Sequence, residues 1–252
     1  MKHAAMAVAF ACLTAFSTQT LQQLISQSDA LFDKFDNRGA REVLLTANEN
    51  FPREGEVLWR LARVEMHIAD NSPDKTDEEK KAQLSKYKTA YQYADSAVIC
   101  DPKSSMAYTF RAAVDGKIAL FKGVFSVAPI VKQVKEDCER AISLDPNNSI
   151  AYYILGRTNA RLAEKPVMFR WPLGLAWGNR KDAIKFYLKA ISLDPNFIMF
   201  RLDLAHAYID NSDYKEAREQ LQAIADLPLR DDRDSLRKTE AADLLQKIKD
   251  KD

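Results

Sequence analysis

The chain has 252 residues, of which 46% are hydrophobic and 29% charged, with only seven glycines and nine prolines. That balance buries a core and is poor in turn-formers, which suits a mostly helical protein of one elongated or one to two compact units. A formal net charge of +1 with no long run of one sign leaves no electrostatic footprint for nucleic acid and excludes it as a partner class.

Taken from the start, Lys2 precedes an apolar stretch, Ala4 to Phe16, that is too short to span a bilayer as a helix of about 20 residues. Ala15-Phe16-Ser17 offers small residues at the spacing a signal peptidase requires, so residues 1–17 read as a secretory signal and residues 18–252 as an exported chain, periplasmic or extracellular. A first helix or an uncleaved anchor is the alternative. Cys12, after Ala9-Phe10-Ala11, loosely fits a lipoprotein box. Cys100 and Cys138 fall inside helical patterns and read as small buried hydrophobes rather than a disulfide pair.

Next come stripes of small and apolar residues at helical spacing: Ala40, Leu44, Ala47; then Ala90, Ala94, Ala97; then Val134, Cys138, Ala141, Ile142; then Ala183, Tyr187, Ala190; then Ala217, Leu221, Ile224. Short side chains recur there because two helices approach to about 8 Å only where side chains are small. Three stripes close on one phrase, Ala97 to Pro102, Ala141 to Pro146 and Ala190 to Pro195, each ending Asp-Pro. Proline disfavours a helical conformation in the residue before it, Asp is suited to cap the next helix, and Pro suits that helix's first turn. First helices follow each stop, with Leu58, Leu61 and Ala62, then Tyr152, Leu155 and Gly156, then Leu204, Ala205 and Tyr208. These positions reproduce the tetratricopeptide pattern, so the expected fold is an all-α, tetratricopeptide-like solenoid of about five helical hairpins over residues 18–252. Leu236, Leu244, Leu245 and Ile248 mark a C-terminal helix that covers the open end of the solenoid.

The closing prolines Pro52, Pro102, Pro146, Pro195 and Pro228 stand 50, 44, 49 and 33 residues apart, against a usual period of about 34. The excess lies inside three hairpins, near Asp70 to Lys81, Lys117 to Val131 and Glu164 to Lys181. The first is charged and reads as a solvated turn with a longer helix. The others are apolar, and a solvated loop does not carry so much apolar surface. Their aromatics either thicken the core or roof a groove, with Phe121, Phe125, Phe169, Trp171 and Trp177 as the roof, or present a patch to a partner or to a membrane as a peripheral contact.

First helices face the concave side of this architecture, and helical counting points Trp59, Arg63, Met66, Met106, Tyr153, Arg157, Met199, Leu202 and His206 inward. Aromatics and Met beside two arginines suit a protein segment with an apolar side, and equally an acyl chain with an anionic head near Arg63 and Arg157. No cofactor is expected. His67 and His206 have no metal-ligand partner at helical spacing, and no phosphate loop or nucleophile elbow occurs, so the chain reads as a non-enzyme without a metal site.

Leu58-Trp59-Arg60-Leu61-Ala62-Arg63, Asp77-Glu78-Glu79-Lys80-Lys81, the stretch from Leu155-Gly156 to Lys165-Pro166, Asp194-Pro195-Asn196-Phe197 and Glu240-Ala241-Ala242-Asp243-Leu244-Leu245 together resemble the regulator of microtubule dynamics family, from about Leu21 to Ile248 and with the over-long hairpins in the same order. The resemblance implies a helical interaction domain associated with microtubules or with membrane contacts, in which the solenoid binds phospholipid. It also implies a cytoplasmic, cytoskeleton-associated alternative to export. Binding of a protein segment is the first expectation, a phospholipid or amphipathic-molecule carrier the second, and a microtubule-associated regulator the third.

Overall fold

The computed structural model describes residues 19–251, the side chains of Val124 and Phe125 excepted. The expected signal and Cys12 therefore lie outside the described residues, as does the side chain of Phe125. Among the described residues all regular structure is helical. The fold is the all-α, tetratricopeptide-like solenoid expected.

The helices run α1 Leu21–Phe32, α2 Asn37–Asn50, α3 Gly55–Asp70, α4 Asp77–Cys100, α5 Ser105–Ala119, α6 Val124–Leu144 and α7 Ser149–Ala163. They continue with a short α8 Val167–Arg170, α9 Arg180–Leu193, α10 Ile198–Asp210, α11 Tyr214–Ile224 and α12 Asp234–Lys247. Packing pairs α1 with α2, α3 with α4, α5 with α6, α7 with α9 and α10 with α11, and α12 lies against α10 and α11. The small residues of the second helices are the seams: Ala40, Ala47, Ala90, Ala94, Ala97, Ala141, Ala183, Ala190 and Ala217 are fully buried. Gly156 of α7 marks the tightest approach, because a Cβ built there would meet the Tyr187 ring of α9 at 2.8 Å.

Local chemistry fixes the helix starts. Thr20 with Gln23 and Thr76 with Glu79 form reciprocal capping boxes at α1 and α4, and Ser104, Asn148 and Asn179 cap α5, α7 and α9 through their side chains. The Asp-Pro phrases end helices as expected, but Asp101 and Asp145 do not cap the following ones. Each is the C-terminal cap of the helix behind it, and its Oδ1 accepts from the backbone N–H two residues on, at 3.1 Å from Lys103 and 2.9 Å from Asn147. Proline plus this Asx turn uses up two residues, so the cap falls to Ser104 and Asn148 three positions later.

The three long hairpins solve their excess length differently. The first becomes the 24-residue α4 after a polar turn. The second becomes the 21-residue α6, which carries Pro129 in its second turn, just past the four N–H groups that need no intrahelical partner, so one i→i−4 hydrogen bond is forgone there. The third is a compact loop around Arg170, whose buried guanidinium donates to the carbonyls of Lys165 at 2.9 Å, Leu175 at 2.8 Å and Gly178 at 3.0 Å. Leu175 is packed away inside it, whereas Val167, Met168, Phe169 and Trp171 point outward, Trp171 being 74% exposed. The expected roof is thus an external ridge at Phe169 and Trp171, because Arg170 uses the inner face of that turn.

The C-terminal segment does more than cover an end. Between α11 and α12 the chain runs back to the first repeats: Asp232 Oδ2 accepts from Asn37 Nδ2 of α2 at 3.0 Å and from the Nδ2 of Asn71 at the end of α3. Asp234, fully buried, caps this turn by accepting from the backbone N–H groups of Arg230 and Asp231 at 2.9 Å each. The solenoid therefore closes into a ring. Ala241 and Ile248 anchor α12 in the core, while Leu236, expected among the anchors, is exposed.

A candidate cationic binding chamber

The fold leaves an open, broad-mouthed chamber of about 1,210 Å³, above the roughly 300 to 1,000 Å³ of most small-molecule sites. The end of α3, the turn and first half of α4, the end of α5, Arg157 of α7, and Arg233 and Leu236 at the start of α12 line it. Its wall carries six basic side chains (Lys75, Lys80, Lys117, Lys122, Arg157, Arg233) against three acidic ones (Asp70, Asp74, Glu79). Glu79 is spent on the α4 cap, where it accepts from the backbone N–H groups of Lys75 and Thr76. Asp70 is spent on the Lys117 ammonium, at 2.6 and 2.8 Å, and on the Tyr87 hydroxyl.

Arg157 is held from behind by Tyr153 and Asp203, which together keep its pKa above the usual guanidinium range. It has no ion pair among the described residues; its Nη1 donates to the Tyr153 hydroxyl at 3.4 Å, and Tyr153 in turn donates to Asp203 at 2.7 Å. Burial, and then Asp203, push the Tyr153 phenol well above its ordinary range, so it stays neutral and orients Arg157 without cancelling its charge. Lys117 feels the same surplus: burial lowers its pKa, Asp70 opposes, and Arg157 and Arg233 lower it further. Lys117, Arg157 and Arg233 thus share two carboxylates, Asp70 and Asp203, and the surplus positive charge favours an anion. Beside them the wall is apolar, with Leu120, Phe121, Tyr87 and Leu236. Leu120 and Leu236 are exposed at this lip.

Of the residues expected in a groove, Arg157 and Phe121 line the chamber. Trp59 does not: it is buried between α3 and α5, stacked on Phe110 at a centroid distance of 5.4 Å, and Met66 joins the same cluster. Arg63 is turned toward α1, pairing with Asp29 at 2.7 Å and lying 3.8 Å over Phe32. Tyr153 stacks on Phe200 at 4.8 Å and reaches the site only through Arg157. Leu202 is core, Met106 and Met199 pack against core clusters, and His206 bonds Glu240 at 2.9 Å near the surface. Trp177 is half-buried beneath Lys135. The inward expectation fails at Trp59, Met66 and Leu202 because adjacent first helices touch one another, and the residues between them become seam.

Sequence reading missed Lys117, Arg233, Tyr87, Leu120 and Leu236. Lys117 sits at the start of an apolar insertion and Arg233 in an acidic tail segment, and only ring closure brings them together.

A family model described as regulator of microtubule dynamics protein 1-3 matches residues 24–249. Regulator of microtubule dynamics protein 1 of Mus musculus is 28% identical over 238 residues, covering 91% of this chain and 75% of its own length. The Bos taurus protein of that name is 27% identical over 240 residues, covering 92% and 73%. Regulator of microtubule dynamics protein 3 of Mus musculus is 24% identical over 221 residues, 83% of this chain and 45% of its own. Among solved structures, a thermophilic TPR protein of Thermus thermophilus superposes with a TM-score of 0.63 at 16% identity, covering 88% of this chain and 99% of its own, and Pseudomonas aeruginosa pilF with 0.53 at 14%, covering 91% and 86%. Those two likenesses concern the fold.

Proposed function

This chain belongs to the regulator of microtubule dynamics family, and we propose that it is a non-enzymatic binding module whose chamber takes an anionic amphiphile of the phospholipid kind. The observation that carries the reading is the cluster of Arg157, Lys117 and Arg233, with Arg157 free of any direct ion pair among the described residues, on a wall whose lip is Leu120, Phe121 and Leu236. An anionic head satisfies the cations through charge-assisted hydrogen bonds, and an acyl chain covers the lip. The surplus of basic side chains on the wall favours an anionic head over the apolar face of a protein segment.

The external ridge supports the same reading. Val167, Met168, Phe169 and Trp171 present an apolar edge with an aromatic ring at its end and Lys165 nearby, the composition of a shallow membrane contact. Among the described residues no helix is long and apolar enough to cross a membrane, so contact would be peripheral. The relatives' names speak of regulating microtubule dynamics, and co-sedimentation with polymerised tubulin tests whether this chain binds microtubules.

Native mass spectrometry of the full chain mixed with a short-chain anionic phospholipid, and separately with its phosphocholine counterpart, tests the proposal. One anionic lipid per chain in clear preference to the phosphocholine is expected. Equal occupancy by both, or none, overturns it, and capture of an acidic peptide in its place returns the chamber to protein binding.

A further inference from the structure

The contact that closes the ring gathers donor atoms whose arrangement the packing does not account for. Asp231, only 8% exposed, accepts on its Oδ1 from the backbone N–H of Arg233 at 2.9 Å and from Arg237 Nη1 at 2.7 Å, while its Oδ2 faces His67 Nδ1 across 3.8 Å. That separation is too long for a hydrogen bond. His67 is held edge-on to Phe32 with ring centroids 5.0 Å apart, which fixes the imidazole plane.

Asp232 is the stranger case. Its Oδ2 takes the neutral amides of Asn37 and Asn71, and its Oδ1 is buried with no hydrogen-bond partner. Arg237 compensates Asp231, whereas the hydrogen-bond partners of Asp232 carry no positive charge. Asn37, itself 8% exposed, spends Nδ2 on Asp232 and leaves its own Oδ1 buried and unpartnered. Two orphan acceptor oxygens, one of them anionic, therefore lie at one contact, and buried acceptors in native proteins almost always have a donor or a cation.

We propose that His67, Asp231 and Asp232, with Asn37 Oδ1 beside them, bind a divalent first-row transition-metal cation that ties the segment before α12 to α2 and α3. One ligand atom from each of His67, Asp231 and Asp232 lies within 4.8 Å of the others. A cation bound at about 2.1 Å holds its ligands roughly 3 to 4 Å apart, so small side-chain rotations close the set. One imidazole nitrogen with carboxylate oxygens suits Zn²⁺ or Mn²⁺; Ca²⁺ prefers an all-oxygen shell and Mg²⁺ keeps most of its water. The ion supplies the charge that Asp232 lacks. It also stiffens Arg233, the next residue and a wall of the chamber, so ring closure and chamber geometry become one event.

Calorimetric titration of Zn²⁺ into the chelator-treated full chain tests the site, with Mg²⁺ as control and thermal unfolding alongside. One Zn²⁺ per chain, a raised Tm and little response to Mg²⁺ are expected. His67→Ala and Asp232→Asn should each weaken Zn²⁺ binding at least tenfold and abolish the Tm rise. Asp232→Asn preserves the shape and an acceptor for the two asparagines, so it decides the matter if His67→Ala does not fold. Absence of stoichiometric Zn²⁺ binding, or a folded Asp232→Asn chain that binds like the parent, overturns the proposal.

Discussion

Asn37 and Asp232 stand 195 positions apart in the chain and are joined by a hydrogen bond of 3.0 Å. One residue begins the second helix and the other precedes the last, so this bond is where a linear array of hairpins becomes a ring. Asn37→Ala should loosen that closure, at a cost of about 1.5 to 3 kcal/mol for a hydrogen bond to a carboxylate. Amide exchange of residues 227–235 should then accelerate while that of α7 and α9 stays unchanged; protection equal to the parent's would mean the ring does not depend on this contact.

Gly156→Leu should destabilise the chain by about 1 to 3 kcal/mol through overpacking, since even a Cβ there meets the Tyr187 ring. Urea unfolding measures it. A neutral result would contradict the close approach of α7 and α9.

Asp115 of α5 is buried near Asp95, Arg111, Asp137 and the Tyr91 ring. Burial first, and then the Asp137 carboxylate, push its pKa up to about 7, with Arg111 opposing. The folded chain therefore keeps a proton that the unfolded chain has released above pH of about 4, and this group's contribution to stability falls as pH rises from there through about 7. Asp115→Asn should remove that fall, matching the parent near pH 4 and exceeding it at pH 8. Urea midpoints across this range supply the comparison, and parallel pH profiles for parent and variant would exclude it.

Arg170→Ala leaves three buried carbonyls without their donor, so the loop from Lys165 to Gly178 should open. A loss of about 2 to 4 kcal/mol is expected, given that bonds to a charged group count for about 1.5 to 3 each and the carbonyls partly rehydrate. Limited proteolysis should cut within residues 165–178 in the variant and not in the parent.

The helical seams are legible in the sequence because alanine at fixed spacing and Asp-Pro stops are local signals, and Gly156 announces its own close contact. The chamber is not legible. Helical phase points Arg157 toward a guest, but Lys117 and Arg233 meet it only after several hairpins of accumulated rotation, which no local pattern encodes. His67 looks solitary in the sequence for the same reason: its carboxylate neighbours lie more than 160 residues downstream, beyond any search at helical spacing. Trp59 misleads in the opposite sense, since helical phase gives the direction of a side chain and not whether the next helix has already filled that space. Phe169 and Trp171 read as covering something, and the buried Arg170 between them shows why they cannot fold inward.

The most direct measurement is the affinity of the full chain for a short-chain anionic phospholipid with Arg157 reversed in charge. For Arg157→Glu at least a tenfold loss of affinity is expected with a folded helical spectrum retained, since one of the three clustered cations becomes an anion. An unchanged affinity in the folded variant would contradict it.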